Sequence, residues 1–250
     1  MLESLPRPAI FAHRGASAHA PENTLAAFEE ALEQGADAIE LDAKLSADGI
    51  VVIIHDATVT RTTGERGLVS QTSLAGLRAL DAGSFLSDRF RGEKIPMLEE
   101  VFEAVGKRTF INIELTNYKT PGDHLIESVC MLVKKFLMQE RVLFSSFLPA
   151  NLSRARGLLP EVPCALLALQ GPLGAWSRSF GFAFGSYQAF HPHLKDVTRQ
   201  QINRVHRLSR RAHVWTVNSA EDMRRLFGWG VDGIFTDDPR LAVQVRAEST

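Results

Sequence analysis

Cysteine is nearly absent from this chain: its 250 residues include two, Cys130 and Cys164. They form neither a CxxC pair nor a zinc-ligand spacing. A disulfide framework and a thiolate metal site are therefore excluded, and two reduced, buried thiols are expected. Long apolar runs are also missing. No stretch approaches the roughly 18 residues needed to cross a bilayer, so no integral membrane contact is expected. The opening segment, residues 1–8, carries Glu3 and two prolines instead of an apolar leader. No secretory signal is expected there, and the expected location is cytoplasmic. A charge surplus of either sign is lacking too. The 28 Lys and Arg nearly balance the 29 Asp and Glu, giving a formal net charge of -1, which argues against nucleic acid as a partner. Nothing in the sequence sets the oligomeric state.

What is present is an ordinary globular composition, 45% apolar and 23% charged, in a chain long enough to bury a full core. Short apolar runs alternate with helical patterns from end to end. Strands are expected at 9–13, 38–45, 50–55, 110–116, 142–146, 165–169, 186–190, 213–217 and 233–236. Between most of them the apolar residues recur at helical spacing, as in Leu25, Phe28 and Leu32, or Ile126, Val129 and Val133. Repeated strand–helix order in 250 residues predicts an α/β fold, a (β/α)8 TIM barrel spanning residues 1–250 as one domain. Two places break the rhythm. Asp48-Gly49 marks a hairpin, so the run ending at His55 is expected to return antiparallel. Residues 57–94 have no clean period and are expected to form a small insertion after the second strand, over the barrel mouth.

Alternation along a strand gives the chemistry its first outline. Glu40, Asp42 and Lys44 share one face of their run. Asn112, Glu114 and Thr116 share the inward face of theirs. Three acids thus converge from two strands. Like charges about 4 Å apart repel by roughly 4 kcal/mol per pair at an effective dielectric near 20, and a divalent cation would turn that penalty into ligation. All-oxygen donors favour Mg²⁺, Ca²⁺ or Mn²⁺ over zinc. His13 and His55 end their runs beside these acids, where imidazoles can move protons near neutral pH. Arg14, next to His13, is suited to fork onto a phosphate or carboxylate. His191 is expected at the barrel mouth in contact with substrate, and Trp215 as pocket lining. Arg204, Arg207, Arg210 and Arg211, with His206, are expected on a solvated helix face.

The ordered blocks His13-Arg14-Gly15, Pro21-Glu22-Asn23-Thr24, Glu40-Leu41-Asp42, His55-Asp56, Ile95-Pro96-Met97-Leu98-Glu99-Glu100, Asn112-Ile113-Glu114-Leu115, Trp215-Thr216-Val217-Asn218 and Gly230-Val231-Asp232-Gly233-Ile234-Phe235-Thr236-Asp237-Asp238-Pro239 resemble the glycerophosphodiester phosphodiesterase family. The resemblance covers nearly the whole chain. It implies a (β/α)8 barrel with a small insertion. It also implies one divalent cation, Mg²⁺ or Ca²⁺, on Glu40, Asp42 and Glu114, with His13 and His55 as the acid–base pair and Arg14 as a phosphate contact. The implied reaction converts a small-molecule glycerophosphodiester to glycerol 3-phosphate and an alcohol. One position departs from the pattern: Thr116 stands where many family members carry lysine, and Lys44 or Lys119 is expected to supply that charge. Two alternatives stand beside this reading. One is phospholipase D-like cleavage of lysophospholipids, using the apolar stretch 176–184 for docking. The other is a non-catalytic barrel that binds a phosphorylated ligand.

Overall fold

The computed structural model describes residues 1–248; Ser249 and Thr250, the end of the expected domain, lie outside the described residues. Nine strands form one sheet: β1 Ala9–Ala12, β2 Ala38–Leu45, β3 Val51–Ile53, β4 Phe110–Leu115, β5 Val142–Ser146, β6 Cys164–Ala168, β7 Ala189–Pro192, β8 Arg211–Val214 and β9 Gly233–Thr236. All except β3 pair in parallel. β1 closes the ring by pairing with both β2 and β9, which makes an eight-stranded barrel. β3 folds back antiparallel on β2 through the Asp48-Gly49 turn, with Lys44 opposite Val52.

The outward-facing residues of the strands pack against the surrounding helices. Ile39, Leu41, Ile111 and Ile113 are wholly buried in one continuous core with Phe28, Val129 and Val133. Phe28 sits on the helix Leu25–Glu33, whose first turn is held by the Thr24 hydroxyl accepting from the Ala27 amide at 3.2 Å. Truncating a phenylalanine buried in this way costs about 3–5 kcal/mol. At the N-terminal end of the barrel, the short turn Leu2–Ser4 brings Met1 and Leu2 against Leu143, Ala165 and Ala189. The bottom is thereby closed by apolar side chains and the top is left open.

Residues 57–94 do form an insertion after the second barrel strand. It contains the short helices Thr60–Thr63 and Leu74–Ala79 and has its own small core of Val59, Val69 and Leu77 against Val52, Ile54 and Ile95.

Two expected strands are displaced. β7 runs on through His191 and Pro192 instead of covering 186–190, and β8 begins at Arg211 instead of 213. A polar residue interrupts the apolar run in each case, yet its side chain is buried by its barrel neighbours. The helix Arg199–Arg207 ends before Arg210 and Arg211, so those two do not join the expected solvated face. Arg211 is buried in β8, and the Arg210 guanidinium donates to the carbonyl oxygens of Phe182 and Gly185.

Candidate active site

Parallel closure gathers the C-terminal ends of the strands at one mouth, where barrel enzymes carry their chemistry. His13 and Arg14 follow β1. The turn after them rests on the first helix through Gly15, which has φ +81°; a Cβ there would lie 2.6 Å from the Ala27 backbone. Arg14 itself has φ 59°, an uncommon value for a residue with a side chain. In this conformation its amide donates to Glu40 Oε2 at 2.9 Å, Nη1 donates to Glu22 Oε1 at 3.0 Å, and Nε lies 3.5 Å from Asp42 Oδ2.

Glu40 and Asp42 lie on one face of β2, and the register sets Asp42 opposite Glu114 of β4. One carboxylate oxygen from each of the three lies within 4.8 Å of the others. The surroundings hold them there. Asn23 Nδ2 donates to Asp42 Oδ2 at 2.9 Å, and the Tyr118 hydroxyl donates to Glu114 Oε1 at 2.8 Å. Burial, with Asp42 close by, pushes the Glu114 carboxyl up to about 8. Burial with Asp42 and Glu114 raises Glu40 well above the usual range. Burial opposes ionisation of Asp42 as well, but the Arg14 guanidinium, His55 and the Asn23 amide together hold it below the usual carboxylate value. Three acids that resist ionising together beside one guanidinium, their spacing and the all-oxygen donor set fit a divalent cation, whose charge would favour ionisation of all three.

Each imidazole is anchored through its Nδ1. His13 Nδ1 lies 2.7 Å from Asp237 Oδ1, and Asp237 also accepts from Ser17 Oγ and from Asn218 Nδ2 at 2.6 Å. His55 Nδ1 lies 2.7 Å from Asp56 Oδ1, whose other oxygen accepts from Arg61 Nε at 2.8 Å. Arg61 then clamps both oxygens of Glu22, which meets Arg14. An insertion residue is thus wired to the phosphate-binding candidate through one acid.

Both histidines, Arg14, Glu40 and Glu114 open onto one cavity of about 230 Å³. His191 and Trp215 line it too, but differently from expectation. His191 is fully buried inside the barrel, with Nε2 3.1 Å from His213 Nδ1. The Trp215 indole donates to the His191 carbonyl at 2.8 Å, which fixes its ring as a wall. A wider vestibule of about 730 Å³ adjoins this cavity and shares His55, Glu114, Phe147 and Leu169 with it. Lys44 and Lys119 border only the vestibule. Lys44 is half-buried; Lys119 is exposed on the loop after β4.

Sequence reasoning did not single out Asp237, Arg61 or Tyr118, and it quoted Asn23 in a block without its hold on Asp42. Asp237 stood in a quoted block, and its role follows only from β9 closing beside β1. Tyr118 and Arg61 gave no signal beyond being polar residues in loops.

A model of the glycerophosphoryl diester phosphodiesterase family matches residues 13–241. The chain belongs to this family. A family member from Caldanaerobacter subterraneus subsp. tengcongensis, named glycerophosphodiester phosphodiesterase, is 37% identical over 94% of this chain and 96% of its own. One of the same name from Bacillus altitudinis is 38% identical over 96% of this chain and 98% of its own. The barrel superposes with a TM-score of 0.89 on an Oleispira antarctica phosphodiesterase solved with the product sn-glycerol-3-phosphate. That protein is 32% identical, with 96% of this chain and 97% of that one covered.

Proposed function

We propose that this chain hydrolyses glycerophosphodiesters to glycerol 3-phosphate and an alcohol, as a single-domain enzyme that uses one divalent cation, Mg²⁺ or Ca²⁺, and two histidines. The observation that carries this reading is the opening of His13, His55, Arg14, Glu40 and Glu114 onto one small cavity. The product found in the Oleispira antarctica relative supports glycerol 3-phosphate as the fragment retained there.

Glu40, Asp42 and Glu114 would hold the cation. When bound, it supplies a positive charge against the phosphoryl oxygens and stabilises the charge they gain on attack. Arg14 contributes the protein's own contact. It lines the cavity with its guanidinium held beside Glu22 and Asp42, and a guanidinium so placed is suited to a phosphate oxygen. With Nδ1–H of His13 donated to Asp237, the Nε2 lone pair is free to take a proton from the nucleophile. His55, held by Asp56, gives a proton to the departing alcohol. Lys44 adds positive charge at the edge of the phosphate position, where the alcohol leaves into the vestibule. Lys119 at the rim, with His191 and Trp215 in the walls, completes the substrate contacts. A neighbouring glycerol hydroxyl as nucleophile yields a cyclic phosphate that is then hydrolysed, whereas water as nucleophile yields none.

The test is release of glycerol 3-phosphate from several glycerophosphodiesters with Mg²⁺, Ca²⁺ and Mn²⁺ compared, alongside a lysophospholipid. Turnover of the deacylated substrates is expected. Turnover of the lysolipid alone would transfer the reading to phospholipase D-like cleavage, and binding without turnover would reduce it to a phosphate-ligand barrel.

A further inference from the structure

The segment joining β6 to β7 is an amphipathic helix turned inside out. It passes through a 3-10 turn Gly171–Gly174, a π-helical turn Ser177–Gly181 and the short helix Phe182–Phe184. The side facing the barrel is made of Gly174, Ser177 and Gly181 with Phe182. A Cβ on Gly181 would strike the Trp176 ring at 2.4 Å, and one on Gly174 would strike the Leu169 carbonyl at 1.8 Å. The large residues point outward. Leu173 is 82% exposed, Trp176 54%, Phe180 67% and Phe184 83%. Phe180 and Phe184 stack nearly flat, with centroids 6.2 Å apart.

We propose that this stripe is the interface between two copies of the chain, packed antiparallel about a two-fold axis. Aromatic side chains carry roughly 150–250 Å² each, so Trp176, Phe180 and Phe184 together with Leu173 offer on the order of 500 Å² at these exposures. A stable dimer needs about 800 Å² per partner. Exposed Pro172 and Ala175 flank the stripe, and a cleft of about 370 Å³ beside Phe184, lined by Ala150, Ser153 and Arg156, provides further area. Self-pairing brings few charges together: Arg156, in the cleft, donates to the Ser186 carbonyl oxygen. The only charge between Leu169 and Tyr187 is Arg178, and its guanidinium is taken by Asp196 and by the Leu169 and Gly171 carbonyls. A two-fold axis near the middle of the stripe sets Leu173 against the partner's Phe184 and brings the two copies of Trp176 and Phe180 together. This is the self-complementary pattern of a two-fold interface. A lipid surface fits less well. The stripe runs down the barrel flank from the mouth toward the start of β7, and it offers no free cation to an anionic headgroup. Antiparallel packing leaves both mouths open, so association and catalysis are independent.

Sedimentation velocity of the full chain over a range of concentrations tests this, beside the double variant Phe180→Glu, Phe184→Glu. The expected result is twice the chain mass for the parent, the single mass for the variant, and the same kcat/KM for both. As a check that does not depend on the variant's folding, Phe180→Cys should be cross-linked between copies by a short bismaleimide, while Leu137→Cys, exposed elsewhere, should not. A monomeric parent at every concentration, or a double variant that stays dimeric, overturns the proposal. So does a monomeric parent that sediments with anionic vesicles and loses that binding in the variant. The sedimentation and cross-linking readouts do not depend on which phosphodiester is cleaved.

Discussion

Lys44 Nζ donates to the Thr116 carbonyl oxygen at 2.9 Å and to its hydroxyl at 2.8 Å. The two residues extend the register that faces Asp42 with Glu114, so a cation on β2 occupies the neighbourhood that a lysine after β4 would fill. Burial lowers the Lys44 pKa, while Asp42, Glu114 and Asp56 favour its charged form. Lys44→Met is expected to lower kcat/KM by about 10- to 100-fold, the size of a lost charge-assisted hydrogen bond. Lys119→Met is expected to change it by less than about threefold, since exposed charges are screened by solvent. Steady-state kinetics on one glycerophosphodiester decides between them.

Asp237 orients His13 from the opposite end of the sequence. Asp237→Asn should lower kcat by about 10²–10⁴-fold, the range set by general acid–base catalysis, with little change in KM. An unchanged kcat would remove Asp237 from the role of positioning His13.

Cation binding has a readout besides turnover. Adding Mg²⁺ or Ca²⁺ should raise Tm in the parent, because a ligand that binds only the folded state stabilises it. Glu114→Gln should flatten the ion-dependent rise, because it removes a charged oxygen donor from the set of three. Chelation is expected to abolish turnover in the parent. Scanning calorimetry with and without ion checks the first two, and full activity after exhaustive chelation would exclude the cation.

The His191–His213 pair ties stability to pH. Burial lowers His191 to about 3, and burial together with His191 lowers His213 well below its ordinary value. The native pair is neutral, while the unfolded chain protonates both near pH 6.5. Between about 3 and 6.5 the unfolded state binds more protons. The stability due to these groups is therefore complete above about 6.5 and is lost as pH falls below it. Urea denaturation should give a smaller acid-side loss for His213→Phe than for the parent.

The strand alternation of Glu40-Leu41-Asp42 and Asn112-Ile113-Glu114 was legible because a period of two is enforced residue by residue. The shared facing of Glu40 and Asp42 and the inward placement of Glu114 followed from it, as did the barrel from repeated strand–helix order. The ends of β7 and β8 were not legible. His191 and Arg211 are polar residues whose burial is supplied by partners more than 15 residues away, a neighbouring imidazole in one case and the barrel base in the other. The inverted helix 171–184 was similarly hidden: aromatic residues default to the core, and nothing local says that glycines will take the inner face.

By itself the sequence determined which groups the molecule owns and which way each strand presents them, because covalent geometry and side-chain alternation act locally. Only the tertiary structure decided who anchors whom: Asp237 behind His13, Arg61 between Asp56 and Glu22, Lys44 against Thr116. Those pairings depend on barrel closure, which joins the first strand to the last, and on an insertion folding back over the mouth. Both are long-range packing outcomes that no local pattern encodes.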